Sequence, residues 1–258
     1  MTNLGFLSAF VLVFFISNCQ RQHRKPKWEV LFEKKNIKGT FVLKKMTDPD
    51  VNIYNLSRSD SGYLPASTFK VLHSLIALQT SVVKSVEDTI LWDGTDRGYK
   101  PWNKDHTMQS ALPVSCVWFY QELARRIGNK RMLYWVSKVD YGNNKIGKRI
   151  DNFWLEGDMR ISAREQVLFL EKLINNTLPF ASNIQNTVKK IMISDSTANY
   201  VVHSKTGWTQ KTGWYIGFVE TRKGTWVFAL NMDIHTRRDL KYRKFLTYQI
   251  LQEEGIIP

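Results

Sequence analysis

Pro65-Ala66-Ser67-Thr68-Phe69-Lys70 places a hydroxyl and an amine three residues apart at the head of an apolar segment. On a helix, residues i and i+3 share a face, so the Ser67 hydroxyl and the Lys70 amine meet there. Pro65 favours a non-helical start, and Ser67 falls where the first backbone N–H groups still lack partners. A candidate nucleophile therefore stands beside positive dipole ends. Beyond it, Phe69, Val71, Leu72, Leu75, Ile76 and Leu78 are apolar on most sides, which predicts a central helix.

Serine begins many helices and lysine covers many solvated faces, so this pairing alone decides nothing. Two later segments change its weight. Ser115-Cys116-Val117 again sets a serine before an apolar helix, and Lys205-Thr206-Gly207 follows the strand-like Asn199-Tyr200-Val201-Val202-His203-Ser204. Serine with lysine, then serine, then Lys-Thr-Gly is similar in order to the penicillin-recognising acyl-transfer enzymes.

Working outward, Gly39 to Lys44 and Val51 to Leu56 read as short strands around the turn-prone Asp48-Pro49-Asp50. From about Asp88 to Ala198 the pattern is mainly helical, with helices predicted at Ser115 to Ile127, Lys130 to Val139, Ser162 to Ile174 and Asn183 to Met192. Gly128 and Pro179 supply stops. Alternation returns at Gly213 to Thr221 and Thr225 to Asn231, joined by Arg222-Lys223-Gly224, and Leu240 to Leu251 closes the chain as a helix. Strands at both ends with helices between them predict an α+β fold. Its one antiparallel sheet is formed by the N- and C-terminal segments, flanked by helices and backed by a helical subdomain, with the cleft between the two parts.

At 258 residues the chain can bury one substantial core, and nothing in its composition suggests repeats or disorder. Leu4 to Ile16 is an uncharged apolar run of signal-peptide length, short of the roughly 20 residues that span a bilayer. The expected division is a signal peptide at 1–18, a basic tail at 19–33 and a catalytic domain at 34–258, with export to the periplasm or cell envelope. No Lys or Arg precedes the apolar run, which departs from the signal-peptide pattern. Ile16-Ser17-Asn18-Cys19 resembles a lipoprotein cleavage box in which Asn18 replaces a smaller residue, so Cys19 is either a lipid anchor or incidental. Cys116, the other cysteine, reads as a small buried thiol, and no disulfide between the two is expected.

The formal charge of +14 raises nucleic acid as a partner, but Lys and Arg are interleaved with acids apart from the cluster Arg21, Arg24, Lys25 and Lys27. No nucleic-acid motif is present, and none is expected to bind. The five His residues show no ligand spacing, so no metal is expected and His203 reads as structural.

From about Lys34 to the C-terminus the chain resembles the class D, or oxacillinase-type, serine β-lactamases. Val117 in the second motif is what that class shows, where class A enzymes carry Asn. Tyr141-Gly142-Asn143 matches its third motif and Phe153-Trp154-Leu155-Glu156-Gly157 its fourth, while Trp92-Asp93-Gly94 and Tyr120-Gln121 add agreement. Taken singly, Trp154 reads as a core aromatic, Tyr141-Gly142-Asn143 as a turn, Ser115 as a helix cap and Lys205 as a strand-end charge. Their joint occurrence in this order outweighs those readings.

The resemblance implies the fold shared by serine β-lactamases and penicillin-binding transpeptidases. It also implies roles that acyl transfer requires: a nucleophile, its base, an oxyanion hole and a carboxylate clamp. Ser67 is the implied nucleophile, with its own N–H and that of Trp208 as oxyanion donors. Ser115 relays a proton to the lactam nitrogen, and Val117 lies beside Lys70. Lys205, Thr206 and Gly207 face the substrate carboxylate with Arg243, although Arg237 and Arg238 stand close by in sequence; Tyr141 and Asn143 join the substrate-binding set. Lys70 serves either as a neutral amine or, as the resemblance implies, as a carbamate made with carbon dioxide and held by Trp154, which is the one small-molecule requirement expected. The rival readings are a cell-wall transpeptidase or carboxypeptidase and a non-hydrolytic β-lactam receptor. Val117 and Trp154 favour the lactamase, and the membrane-embedded segment that precedes such a receptor's sensor is not expected here.

Overall fold

The computed structural model describes residues 28–258. The apolar run, Cys19 and the cluster Arg21, Arg24, Lys25 and Lys27 lie outside the described residues. Among the described residues six strands form one sheet: β1 (Gly39–Lys45), β2 (Val51–Tyr54), β3 (Ile193–Ser196), β4 (Tyr200–Trp208), β5 (Thr212–Thr221) and β6 (Gly224–Asp233). Their order is β2-β1-β6-β5-β4-β3, and every pair is antiparallel. Pairing of β1 with β6, with Val42 opposite Ala229, joins the N-terminal strands to the C-terminal ones as the strand pattern predicts.

Among the described residues the α-helices are α1 (Glu29–Glu33), α2 (Leu56–Ser59), α3 (Lys70–Gln79), α4 (Met108–Ala111), α5 (Val117–Ile127), α6 (Asn129–Val139), α7 (Ala163–Ile174), α8 (Ser182–Ile191) and α9 (Leu240–Glu253). One core lies between the sheet and the helices that begin with α3, and a second packs Trp28, Phe32, Leu246, Ile250 and Leu251 on the opposite face. Helices thus cover both faces. The first eight residues of β5 are buried without the expected alternation, because a strand covered on both sides needs apolar or small residues throughout.

Local chemistry explains the helix ends. Ser162 accepts from Glu165 N–H while Glu165 accepts from Ser162 N–H, a reciprocal cap that opens α7 at the expected place. Gly128, at φ +78°, ends α5. Lys70 to Ala77 are all buried, which makes α3 the central helix that its all-round apolar character predicts.

Four expectations need correction. The packed body begins by Trp28 rather than Lys34: Trp28 Nε1 donates to Glu254 at 2.8 Å and the Phe32 ring stacks on Tyr54 at 4.4 Å. Trp28 and Phe32, four residues apart, give α1 an apolar face that the charges around it conceal. Strand β2 stops at Tyr54, because Asn55 turns to φ +57° and accepts from Arg58 N–H to start α2. Strand β3 is a short polar edge that alternation does not reveal, and Lys205-Thr206-Gly207 lies inside β4 rather than after it.

Candidate active site

Ser67 stands in a 3-10 turn, Ala66–Phe69, that runs directly into α3. With three residues per turn, such a helix eclipses positions i and i+3. The amine of Lys70 accordingly lies 2.9 Å from Ser67 Oγ, within a fully buried setting. Ala66 adopts φ +49°, a left-handed conformation uncommon for a residue with a Cβ. Neighbours hold it there: Ala66 N–H donates to the Trp154 carbonyl at 2.9 Å, and Trp214 Nε1 donates to the Leu64 carbonyl at 2.9 Å.

Aromatic rings pack beside the head of α3. Phe69 lies nearly parallel to Trp154 with centroids 5.8 Å apart, Phe153 meets both edge-on at 5.0 Å, and Lys70 Nζ sits 5.3 Å from the centre of Tyr120. Burial among these groups lowers the Lys70 pKa to about 7, because the ammonium loses its hydration. Burial also raises the Tyr120 hydroxyl and pushes the Cys116 thiol up to about 11, so both are neutral near pH 7. Cys116 is a buried free thiol, as expected. Trp154 Nε1 is buried with no hydrogen-bond partner.

Ser115 faces this group from the loop before α5. Its backbone is also left-handed, at φ +54°, and Cys116 rather than Ser115 caps the helix. Leaving the cap position frees the Ser115 hydroxyl, which accepts from Lys205 Nζ across 90 residues of sequence. Lys205 also donates to the Thr206 carbonyl at 3.0 Å. Its pKa is pushed well down by burial and then by the nearby charges of Lys70, Arg243 and Lys244. Among the described residues no carboxylate pairs with this amine, whose partners are the Ser115 hydroxyl and the Thr206 carbonyl.

Gly207 explains how β4 comes so close to the nucleophile turn. A Cβ there would lie 2.9 Å from the Pro65 carbonyl oxygen and 3.0 Å from Thr68 Cγ2, so only glycine lets strand and turn touch. Arg243, from α9, donates through Nη1 to the Gly207 carbonyl at 2.7 Å. Arg237 lies instead over the half-exposed Trp208 ring at 5.5 Å, and Arg238 is exposed, which separates Arg243 from its neighbours in sequence. A cleft of about 770 Å³ opens beside the turn, lined by Tyr63, Leu64, Leu155, Arg160, Trp208 and Thr212.

The structure thus gathers Ser67, Lys70, Ser115, Trp154, Lys205, Thr206, Gly207, Trp208 and Arg243, with Val117 half-buried at the head of α5. Tyr141 and Asn143, expected to bind substrate, are turned away. Tyr141 is buried against Phe69 and Phe169, and its hydroxyl lies 3.4 Å from Gln166 Oε1. Asn143 staples two loops, donating to the Asp158 carbonyl at 2.8 Å and accepting from Arg160 N–H at 3.0 Å. Gly142 between them has φ +59°, and a Cβ would fall 2.1 Å from the Arg160 carbonyl. His203, expected to be structural, stacks on Phe218 at 4.3 Å with Nδ1 2.8 Å from the Lys189 carbonyl.

Sequence reasoning missed Gln166. Its amide donates to Thr68 Oγ1 at 2.8 Å, and Thr68 donates onward to the Pro65 carbonyl at 2.7 Å, bracing the nucleophile turn from α7. A polar residue on the apolar face of α7, one position past the Ser162 to Glu165 cap, was the available signal.

Comparison with known proteins agrees with this geometry. Residues 32–252 match the family model of the penicillin-binding protein transpeptidase domain. The chain is 40% identical over 235 residues to β-lactamase OXA-48 of Klebsiella pneumoniae, covering 90% of this chain and 89% of that protein. It is 38% identical over 256 residues to OXA-5 of Pseudomonas aeruginosa, covering 96% of each. Among solved structures, the class D β-lactamase FUS-1 (OXA-85) of Fusobacterium nucleatum subsp. polymorphum superposes with a TM-score of 0.87 at 36% identity, covering 90% of this chain and 98% of that one. A serine and lysine eclipsed on one turn, a second serine held by a strand lysine and a fold shared at this level of identity place the chain in the family of class D serine β-lactamases.

Proposed function

We propose that this enzyme opens β-lactam rings through an acyl-enzyme on Ser67, with Lys70 carrying a carbamate as its working form, and that it confers β-lactam resistance on its host. One observation supports the carbamate above others. Trp154 Nε1, a donor that cannot accept, is buried without a partner in the cage around a lysine whose pKa is lowered to about 7. Near pH 7 a large fraction of such an amine is neutral, against on the order of one in a thousand for a free lysine. Its lone pair forms an N–C bond with carbon dioxide, a C=O π pair moves to oxygen, and one N–H proton leaves. The donors suited to hold the group are Trp154 Nε1–H and the Ser67 hydroxyl, and the group supplies a negatively charged oxygen base.

The chain's own residues account for the rest. Ser67 Oγ attacks the lactam carbonyl carbon, its proton passing to the Lys70 end, while the N–H groups of Ser67 and Trp208 receive the developing oxyanion. Ser115, held by Lys205, delivers a proton to the lactam nitrogen as the C–N bond breaks. Lys205, Thr206 and Arg243 meet the substrate carboxylate, which supplies the missing counter-charge. A water then adds to the ester carbonyl carbon as it gives a proton to the Lys70 end. The C–Oγ bond breaks, that proton returns to Ser67 Oγ, and the product leaves as its acid.

The test is turnover of a chromogenic β-lactam after stripping bicarbonate at mildly acidic pH and after adding it back. Recoverable loss supports the carbamate; turnover indifferent to carbon dioxide leaves neutral Lys70 as base. A burst without sustained turnover would instead mark a transpeptidase-like or receptor-like chain. Export, with Cys19 as a lipid anchor, is tested by fractionation of a Gram-negative host: processed protein in the envelope is expected, and a Cys19→Ser variant distinguishes anchored from free protein. The same host should tolerate more penicillin with the wild-type gene than with Ser67→Ala.

A further inference from the structure

Trp154 Nε1 is not the only unpartnered polar atom near Lys70: both ring nitrogens of His73 are buried without a partner as well. His73 is fully buried and follows Lys70 by three residues on α3, on the same face of the helix. Its ring centre lies 5.3 Å from Trp154, 5.3 Å from Tyr120 and 5.6 Å from Phe69. Of these rings, Tyr120 also faces Lys70 Nζ, at 5.3 Å, so His73 packs on a ring that the buried amine touches. A residue that only filled space here would need no nitrogen, and a leucine or phenylalanine would avoid burying two unpaired polar atoms.

The charge state of the cage says what those nitrogens suit. Burial, and next the charge of Lys70, lower the His73 pKa to about 3, so the ring is neutral and carries one N–H and one acceptor nitrogen. Tyr120 and Cys116 are neutral too, and Tyr120 already shares its hydroxyl with Ser74 at 2.8 Å. An anion at the end of Lys70 would need donors for two oxygens, each able to accept more than one hydrogen bond. Trp154 and Ser67 provide two. The remaining unused donor of the cage is the His73 ring.

We propose that His73 is a positioning residue for modified Lys70, donating its single N–H to a carbamate oxygen beside Trp154 and so raising the affinity of the amine for carbon dioxide. This rests on the carbamate reading above. His73 makes and breaks no covalent bond.

The experiment titrates full-length, carbon dioxide-stripped protein with 13C-bicarbonate and follows the carbamate carbon by NMR in wild type, His73→Leu, His73→Phe and His73→Asn. Loss of a hydrogen bond to a charged group predicts roughly tenfold or more weakening of half-saturation in the Leu and Phe variants. Asn, which keeps an N–H donor, should fall nearer wild type. Without carbon dioxide, the Leu variant should melt no lower than wild type, because it removes two unpaired polar atoms. Equal half-saturation in wild type and a folded Leu or Phe variant overturns the proposal and leaves His73 as packing. If the Leu variant is unfolded, the Phe and Asn pair decides by the same criterion. Absence of any carbamate signal in wild type fails the carbamate reading itself, a distinct result from unchanged affinity, and overturns the His73 role with it.

Discussion

Two buried lysines, Lys70 and Lys205, are each bonded to a serine hydroxyl, and their surroundings differ in kind. Lys70 faces the Tyr120 ring in a dry interior, and its proton is weakened chiefly by loss of water. Lys205 sits on a strand edge near Arg243 and Lys244, and like charges add to its burial. The first environment favours a neutral amine. The second favours an incoming anion, because a carboxylate would relieve the repulsion and supply strong charge-assisted bonds. Burial of similar depth therefore prepares one lysine to lose a proton and the other to meet a substrate.

Changing the helix-side lysine should have the largest effect. Lys70→Met is expected to cut turnover by about 10³-fold or more, since it removes the base from both half-reactions. Stability should move the other way. The folded pKa of Lys70, about 7, lies below its unfolded value, so between those values the unfolded chain binds more protons and stability rises with pH. The cost of burying the charge is fully present below about pH 7. Thermal melts should thus show Lys70→Met more stable than carbon dioxide-free wild type at about pH 6, with the gain shrinking towards about pH 10. A constant difference across that range would place the cause outside the charge.

On the strand side, Lys205→Met should lower kcat/KM by about 10²-fold with much of the loss in KM, as expected for a partner of a charged group. A β-lactam whose carboxylate is esterified should lose far less. Equal losses for acid and ester would make Lys205 a proton-transfer partner of Ser115 and break the contrast between the two lysines. Gly207→Ala probes the contact that joins the two sides. A Cβ 2.9 Å from the Pro65 carbonyl should cost about 1–3 kcal/mol of strain and lower kcat by displacing the nucleophile turn from Trp208 N–H. Wild-type kcat with normal stability would mean the strand can retreat without consequence.

The smallest effect tests a residue that the resemblance placed in the site and the geometry removed from it. Asn143→Ala should cost about 1–2 kcal/mol, because Arg160 N–H and the Asp158 carbonyl lose a partner, with KM unchanged. A raised KM at unchanged stability would return Asn143 to the substrate-binding set.

The pairing of Ser67 with Lys70 was legible because two residues spaced three apart on one turn meet by local geometry alone. The Gly128 stop of α5 and the Ser162 cap of α7 were legible for the same reason, and so were the long strands, whose apolar content survives even where alternation does not. Long-range partners carry no local mark. Lys205 reaches Ser115 only because β4 is pressed against the nucleophile turn at Gly207, and α1 joins the core only because β1 and the end of α9 stand opposite Trp28. The burial of Tyr141, the loop contacts of Asn143, the bracing by Gln166 and the two unpaired nitrogens of His73 depend on which side chains converge from distant segments. Sequence by itself determined which chemistry the chain carries, since motif spacing sets local geometry. Tertiary packing decided which of those groups are dry, which are charged and which are left facing one another, because desolvation and pairing are properties of the assembled interior.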